Sequence, residues 1–275
     1  MSGGDRIEYR RTVTISLFDI EARMGQFGLG HVGVLPVSTY NETAPSSLSG
    51  AVLAPAAQSV LVFASTGSRL WDSFVEEIRK RPETLTASQH PLDDFVQRSV
   101  HEACADLCLS GHSVFFADQQ APVHLDFRSL AVAAGIGSAS RLGLVIHPKY
   151  GPWMGLRAAI FVQEEFLATD AIEDVCAGCP APCIAACPGD AMTTGQWEVG
   201  ACVEFHQQSE QCSRSCHSRN ECIVGADARY DSLEILYHYN RRLGREALRR
   251  HLGIESHVDL YEGVGPEWGP LPQSG

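Results

Sequence analysis

Of the ten cysteines in this 275-residue chain, eight fall between Cys176 and Cys222. Thiolates are soft, charged ligands that suit iron and neutralise its positive charge. In a reducing compartment, clustered cysteines point to metal rather than to disulfides. The first four form a tight run, Cys176-Ala-Gly-Cys179-Pro-Ala-Pro-Cys183-Ile-Ala-Ala-Cys187, closed by Pro188. So short a loop can wrap several thiolates around one inorganic cage. Cys202, Cys212, Cys216 and Cys222 follow. Eight thiolates supply ligands for two 4Fe–4S clusters. Structural zinc also takes four cysteines, but in well-separated C-x2-C pairs. The tight run and its proline favour iron. His206 and His217 lie among the cysteines and could serve as ligands, although a surface position is the more ordinary expectation.

The end of the first run resembles the C-x3-C-P ending of bacterial ferredoxins. One departure is that three residues, Pro180-Ala181-Pro182, stand where that pattern has two. In two-cluster ferredoxins the last cysteine of such a run serves the other cluster. A crossed pattern of that kind would assign Cys176, Cys179, Cys183 and Cys222 to one cluster. Cys187, Cys202, Cys212 and Cys216 would hold the other.

The elements that must position these residues are legible in outline. Residues 17–27 read as an amphipathic helix stopped by glycines, and 31–37 as a strand. A Ser/Ala/Pro-rich loop is expected over 43–57, a buried strand over 59–65 and a helix over 70–80. A second helix is expected over 93–111, stopped by Gly111. It would place Cys104 and Cys108 on one face, as small core residues more readily than as a redox pair. A strand over 112–118 and a short helix over 126–137 follow. Residues 142–163 read as two strands around a Pro/Gly connection. A single charged helix is expected over 231–251, then a Gly/Pro-rich tail over 263–275. Mixed strands and helices through the first 165 residues indicate a layered α/β or α+β domain.

At LGLVIHPKYGPWMGLRAAIFV (142–162) the chain resembles the CblC cobalamin-processing family. His147, Pro148, Lys149, Tyr150, Gly151, Trp153 and Arg157 fall on that family's pattern. LVFASTGSRLWDSFVEEI and FGLGHVGVLPVSTYNETAP, with its Tyr40-Asn41 pair, look like its earlier segments. The same region, with Ala134-Gly135-Ile136-Gly137 and the eight cysteines, also resembles epoxyqueuosine reductase; reductive dehalogenases are more distant. The resemblance covers roughly residues 20–225. It implies an α+β fold, a modified nitroreductase-like domain followed by a small ferredoxin-like iron–sulfur module. It implies two 4Fe–4S clusters and a bound cobalamin, with flavin as the alternative. His147, Tyr150, Gly151, Trp153, Arg157, Gly135 and Gly137 would bind the corrinoid. Glycines 135, 137, 151 and 155 would admit its flat ring. Asp118 stands near the place of the reductase's catalytic aspartate, with altered spacing, and Asp126 is close by.

The domains expected are 1–170 for the corrinoid, 171–230 for the clusters, and 231–275 as helix and tail. The implied activity is that of an oxidoreductase passing electrons from clusters to a corrinoid, which would act on an upper ligand or a small-molecule substrate. An external donor such as a flavodoxin or ferredoxin would feed it. The alternatives are reduction of epoxyqueuosine in tRNA, or a non-catalytic corrinoid chaperone or electron carrier. A formal charge of −12 disfavours nucleic acid as a partner. The N-terminus lacks an apolar signal region and no apolar run is long enough to span a bilayer, so a cytoplasmic protein without membrane contact is expected.

Overall fold

The computed structural model describes residues 15–109, 111–118, 123–193 and 196–255. Its strands form two groups. β1 (His31–Pro36), β2 (Ser59–Thr66), β3 (Ser113–Phe116) and β6 (Met154–Val162) make one sheet, while β4 (Ser138–Ala139) pairs with β5 (Val145–Ile146). The main sheet runs β1-β2-β6-β3 with every neighbour antiparallel. β2 is buried along its whole length, so the sheet needs cover on both faces. Alternation divides its side chains. Leu61 and Phe63 join one core with Val34 and Ile160, whereas Val60, Val62 and Ala64 join another with Phe161.

Helices α1 (Leu17–Gly25), α4 (Arg69–Lys80) and α5 (Pro91–Asp106) cover the first face through Ile20, Phe74 and Phe95. α2 (Val37–Thr43), α3 (Gly50–Leu53) and α6 (Phe127–Ala133) belong to the other side, where Tyr40, Leu53 and Leu130 pack. The result is a three-layer α+β domain. Among the described residues, the cysteine segment has only short helices and turns: α7 (Pro182–Ala185), α8 (Val199–Gln208) and α9 (His217–Asn220). The chain then closes with α10 (Ser232–Tyr239) and α11 (Arg241–His251).

Several expectations change. The 43–57 loop contains a 3-10 turn at Ser46–Leu48 and the α3 turn. Tyr40 and Asn41 hold it: the Tyr40 hydroxyl donates to the Leu48 carbonyl, and Asn41 accepts from the Gly50 N–H. α5 stops before Gly111, because Cys108 takes a left-handed φ of 52°. Leu109 N–H reaches the Cys104 carbonyl and Cys108 N–H reaches Ala105, a Schellman ending without glycine. Cys104 is therefore core and Cys108 exposed, not partners on one face. β5 pairs with β4, not β6, so 142–163 is not a simple hairpin.

The expected 231–251 helix breaks at Asn240, whose side chain caps α11 by accepting from Leu243 N–H. α11 folds back onto α10. An added Cβ at Gly244 would lie 2.2 Å from Tyr237 Cα, so only glycine allows this crossing. Tyr237 and Leu248 enter the first core, which makes these helices part of the sheet domain's packing. The 263–275 tail lies outside the described residues.

Candidate functional site

The eight cysteines sort into two groups. Cys176, Cys179, Cys183 and Cys222 line a cavity with Leu142, Ile146 and Val175. Cys187, Cys202, Cys212 and Cys216 line a second with Met192, Trp197 and Phe205. The extra residue of the first run is taken up by Ala181, which adopts φ 55° and donates its N–H to Cys179 Sγ at 3.4 Å. Burial raises the thiol pKa of Cys183, and the neighbouring thiols Cys222, Cys176 and Cys179 push it the same way. Burial likewise raises Cys212, with Cys187 and Cys202 adding to it. A positively charged cage removes this mutual repulsion, so the donor set fits metal.

Among the described residues, no group of three or more His, Cys, Asp or Glu converges on a single-ion site. Zinc would draw four thiolates to within about 4 Å of one another, given Zn–S bonds near 2.3 Å. A polynuclear cage spaces its thiolates more widely. His206 and His217 line the second cavity rather than open surface.

Beside the first quartet lies the His147 turn. Ile146 walls that quartet's cavity, and His147 pairs with Gly151 across a tight turn. Gly151 has φ 57°, and a Cβ there would meet the Val224 carbonyl at 2.0 Å. Gly225 answers with an equally close approach to Tyr150. Two glycines thus press the cysteine segment against this turn.

His147, His31 and Tyr150 cluster as a trio, with His31 edge-on to His147 at a centroid distance of 5.0 Å and His147–Tyr150 at 4.8 Å. His147 Nδ1 accepts from the N–H groups of Lys149 at 3.0 Å and Tyr150 at 3.3 Å. That fixes a neutral ring with its proton on Nε2. Burial, then the His31 and Lys149 charges, lower its pKa to about 4.

The other expected corrinoid residues divide. Tyr150 and Arg157 keep part of their surface, and Arg157 Nε donates to Ser65 Oγ at 3.2 Å beside the bulge in β2. Trp153 is wholly buried, so it anchors packing and offers no face to a ligand. At the four glycines expected to lie against a ring, the Cβ direction already has neighbours. The space beside Gly151 is filled by Val224, that beside Gly135 by Asp170 and Thr169, that beside Gly137 by Val145 and Ile146, and that beside Gly155 by Arg157.

Asp118 is exposed and accepts from Gln97 at 3.0 Å. Asp126 caps α6. The perturbed carboxyl nearby is Asp93, which burial raises to about 6, with Arg157 opposing and Asp118 and Asp94 adding. Sequence reasoning missed Asp93 and also Arg219, Tyr230 and Tyr239. Only the spacing of Arg219, three residues after Cys216, hinted at any of them.

An antiparallel four-stranded sheet covered on both faces and followed by two thiol quartets defines the class: a nitroreductase-like α+β domain joined to a cysteine-rich segment. The B12-trafficking protein CblC of Caenorhabditis elegans shares this fold at TM-score 0.56 and 12% identity, over 88% of this chain and 98% of that one. The epoxyqueuosine reductase of Bacillus subtilis does so at TM-score 0.52 and 16% identity, over 79% of this chain and 68% of that one. In sequence, the chain is similar to the epoxyqueuosine reductase of Staphylococcus aureus, 34% identical over 87 residues, 31% of this chain and 22% of that protein. No protein-family model matches the chain.

Proposed function

We propose that the protein is an iron–sulfur oxidoreductase whose two thiol quartets hold 4Fe–4S clusters and deliver single electrons to a corrinoid. The observation that carries this reading is the division of eight cysteines into two separate four-thiol cavities, one of them walled by the residue before His147. Resemblance to epoxyqueuosine reductase and to a B12-trafficking fold supports it.

In this reading the first quartet serves the acceptor and the second takes electrons from an external donor such as a flavodoxin or ferredoxin. A bound corrinoid would supply reducible cobalt for chemistry on an upper ligand or a small electrophile. The chain's own work is positional. The Gly151–Gly225 crossing fixes the distance between the first quartet and the His147 turn. His147, locked neutral, presents an Nε2–H donor, and Tyr150 and Arg157 add a hydroxyl and a cation. Asp93, near half-protonated around pH 6, is a proton donor in reach of the Arg157 and Asp118 charges.

Anaerobic reconstitution followed by iron, sulfide and corrinoid analysis tests the proposal. About eight irons per chain are expected, with a change in the cobalamin spectrum on mixing. Zinc in place of iron would overturn it. His147→Ala should weaken cobalamin binding and leave iron unchanged; an unaltered titration removes His147 from the site. Stoichiometric cobalamin binding with no turnover of any corrinoid form would make the protein a chaperone or carrier.

The second reading is reduction of epoxyqueuosine in tRNA, favoured by the 34% identity. Arg128 and Arg141, with Asp174, flank an open depression beside Cys176 where two cations stand against one carboxylate. Queuosine content of tRNA from a deletion strain distinguishes the two: a loss supports this reading, and a normal level rejects it.

A further inference from the structure

The β4–β5 turn and the start of α8 meet at one exposed face. An added Cβ at Gly143 would lie 2.5 Å from the Trp197 ring, so the turn and the indole are pressed together. Leu144 and Val199 flank this contact and stay 37% and 53% exposed. Arg128 and Arg141 share one depression with Trp197 and Val199, and both are exposed. Arg128 donates to the Gly143 carbonyl at 3.2 Å, and among the described residues neither guanidinium forms an ion pair. The carboxylates here are turned to the backbone. Asp174 accepts from the Cys176 N–H at 2.8 Å, and Asp126 accepts from the N–H groups of Arg128 and Ser129 and from the Ser129 hydroxyl. Glu198 is exposed but does not line the depression. Thiols lie directly behind this face. Cys176 of the first quartet lines the same depression, and Leu144 and Trp197 also wall the second cavity.

Resting on the iron–sulfur reading above, we propose that this face docks the electron donor, a small acidic redox protein with an apolar rim around its cofactor. Leu144 and Val199 beside a half-buried indole make an apolar centre. Two unpaired guanidinium groups make a cationic edge on a chain of net charge −12. An apolar centre with a polar, charged rim is the anatomy of a protein contact. Weak redox encounters bury less than about 1,200 Å², so a small face suffices. Carboxylates on the donor would be steered to this edge against the general repulsion of two acidic proteins. In the docked pair the donor's cofactor loses one electron and the second quartet's cluster gains it, through the wall that Leu144 and Trp197 form; no bond forms or breaks. A nucleic acid fits this face less well. Its affinity comes from many phosphate contacts, two cations supply few, and the apolar centre would stay uncovered.

The test is rapid mixing of the reconstituted full chain with reduced plant-type ferredoxin, and separately with reduced flavodoxin, followed by cluster absorbance. Arg141→Glu reverses a charge at the edge, and Val199→Glu puts a charge in the apolar centre. Each should lower the second-order rate of reduction by about tenfold. Reduction by photoreduced deazaflavin, too small to need the face, should keep its rate in both variants. Leu167→Glu alters an apolar side chain that is 93% exposed and lines neither the depression nor a thiol cavity, so it should leave all rates unchanged. Unchanged protein-donor rates in iron-replete Arg141→Glu and Val199→Glu chains overturn the proposal. So does an iron-replete unaltered chain that neither donor reduces. Binding of a tRNA stem-loop that Arg141→Glu abolishes, with donor rates unaltered, would give the face to nucleic acid instead. An unaltered chain that takes up no iron overturns the reading beneath the proposal, a result distinguishable by iron content alone.

Discussion

Glu234 is 2% exposed, accepts from Ser68 Oγ at 2.5 Å, and lies 3.8 Å from His238 Nε2. This contact is not an ion pair at neutral pH. Burial raises Glu234 to about 8, with Asp231 and Asp72 adding while Ser68 and Arg157 oppose. Burial lowers His238 to about 3, helped by the Arg157 and Arg219 charges. Both groups are therefore neutral. Glu234 has a folded pKa above its unfolded one, so its contribution is full below 4.5 and is lost as pH rises to 8. His238 runs the other way: its contribution is full above 6.5 and falls toward pH 3. Between 6.5 and 8 only the Glu234 slope remains. Glu234→Gln should flatten thermal stability over that window, removing a loss of about 2 kcal/mol. Melting curves at a series of pH values check this, and an equally steep variant would refute the buried-acid assignment.

Two glycine crossings set the geometry at the scale of elements. Gly151→Ala adds a methyl to a left-handed residue facing the Val224 carbonyl at 2.0 Å. The cysteine segment must then shift away from the His147 turn. Lower iron retention and faster proteolysis near residue 224 are expected, with the sheet intact by circular dichroism. Gly244→Ala forces the α10–α11 crossing apart and should cost about 1–3 kcal/mol in denaturant melts. The expected helix over 231–251 shows what an apolar pattern hides. Helical propensity runs through Asn240, but the fold-back depends on a cap and a glycine whose contact partner lies on the other helix.

The whole molecule has unequal cores. The sheet domain is held by large apolar sets on both faces, whereas the cysteine segment packs only Leu142, Ile146, Met192 and a few neighbours around its thiols. Under the iron–sulfur reading, metal supplies most of that segment's stabilisation. Iron removal by a chelator should abolish a separate early transition in calorimetry and leave the main transition of the sheet domain. A single transition unaffected by chelation would show that the segment stands without metal.

Thiol chemistry, strand alternation and helix amphipathicity were legible in the residues themselves. β2, α4 and the eight clustered cysteines are encoded locally, by side-chain period and ligand type. Helix ends such as Cys108 and the partner of β5 were not, because each is decided by a backbone bond to a distant or unexpected residue. The site followed the same division. Sequence nominated the cysteines and His147, but not that Gly151 and Gly225 also let two chain segments approach each other. Burial of Trp153, the neutral state of His147 and the placing of Arg219 beside Cys216 exist only once segments far apart in sequence pack together. Desolvation and close approach are properties of that packing, and no single stretch of chain contains them.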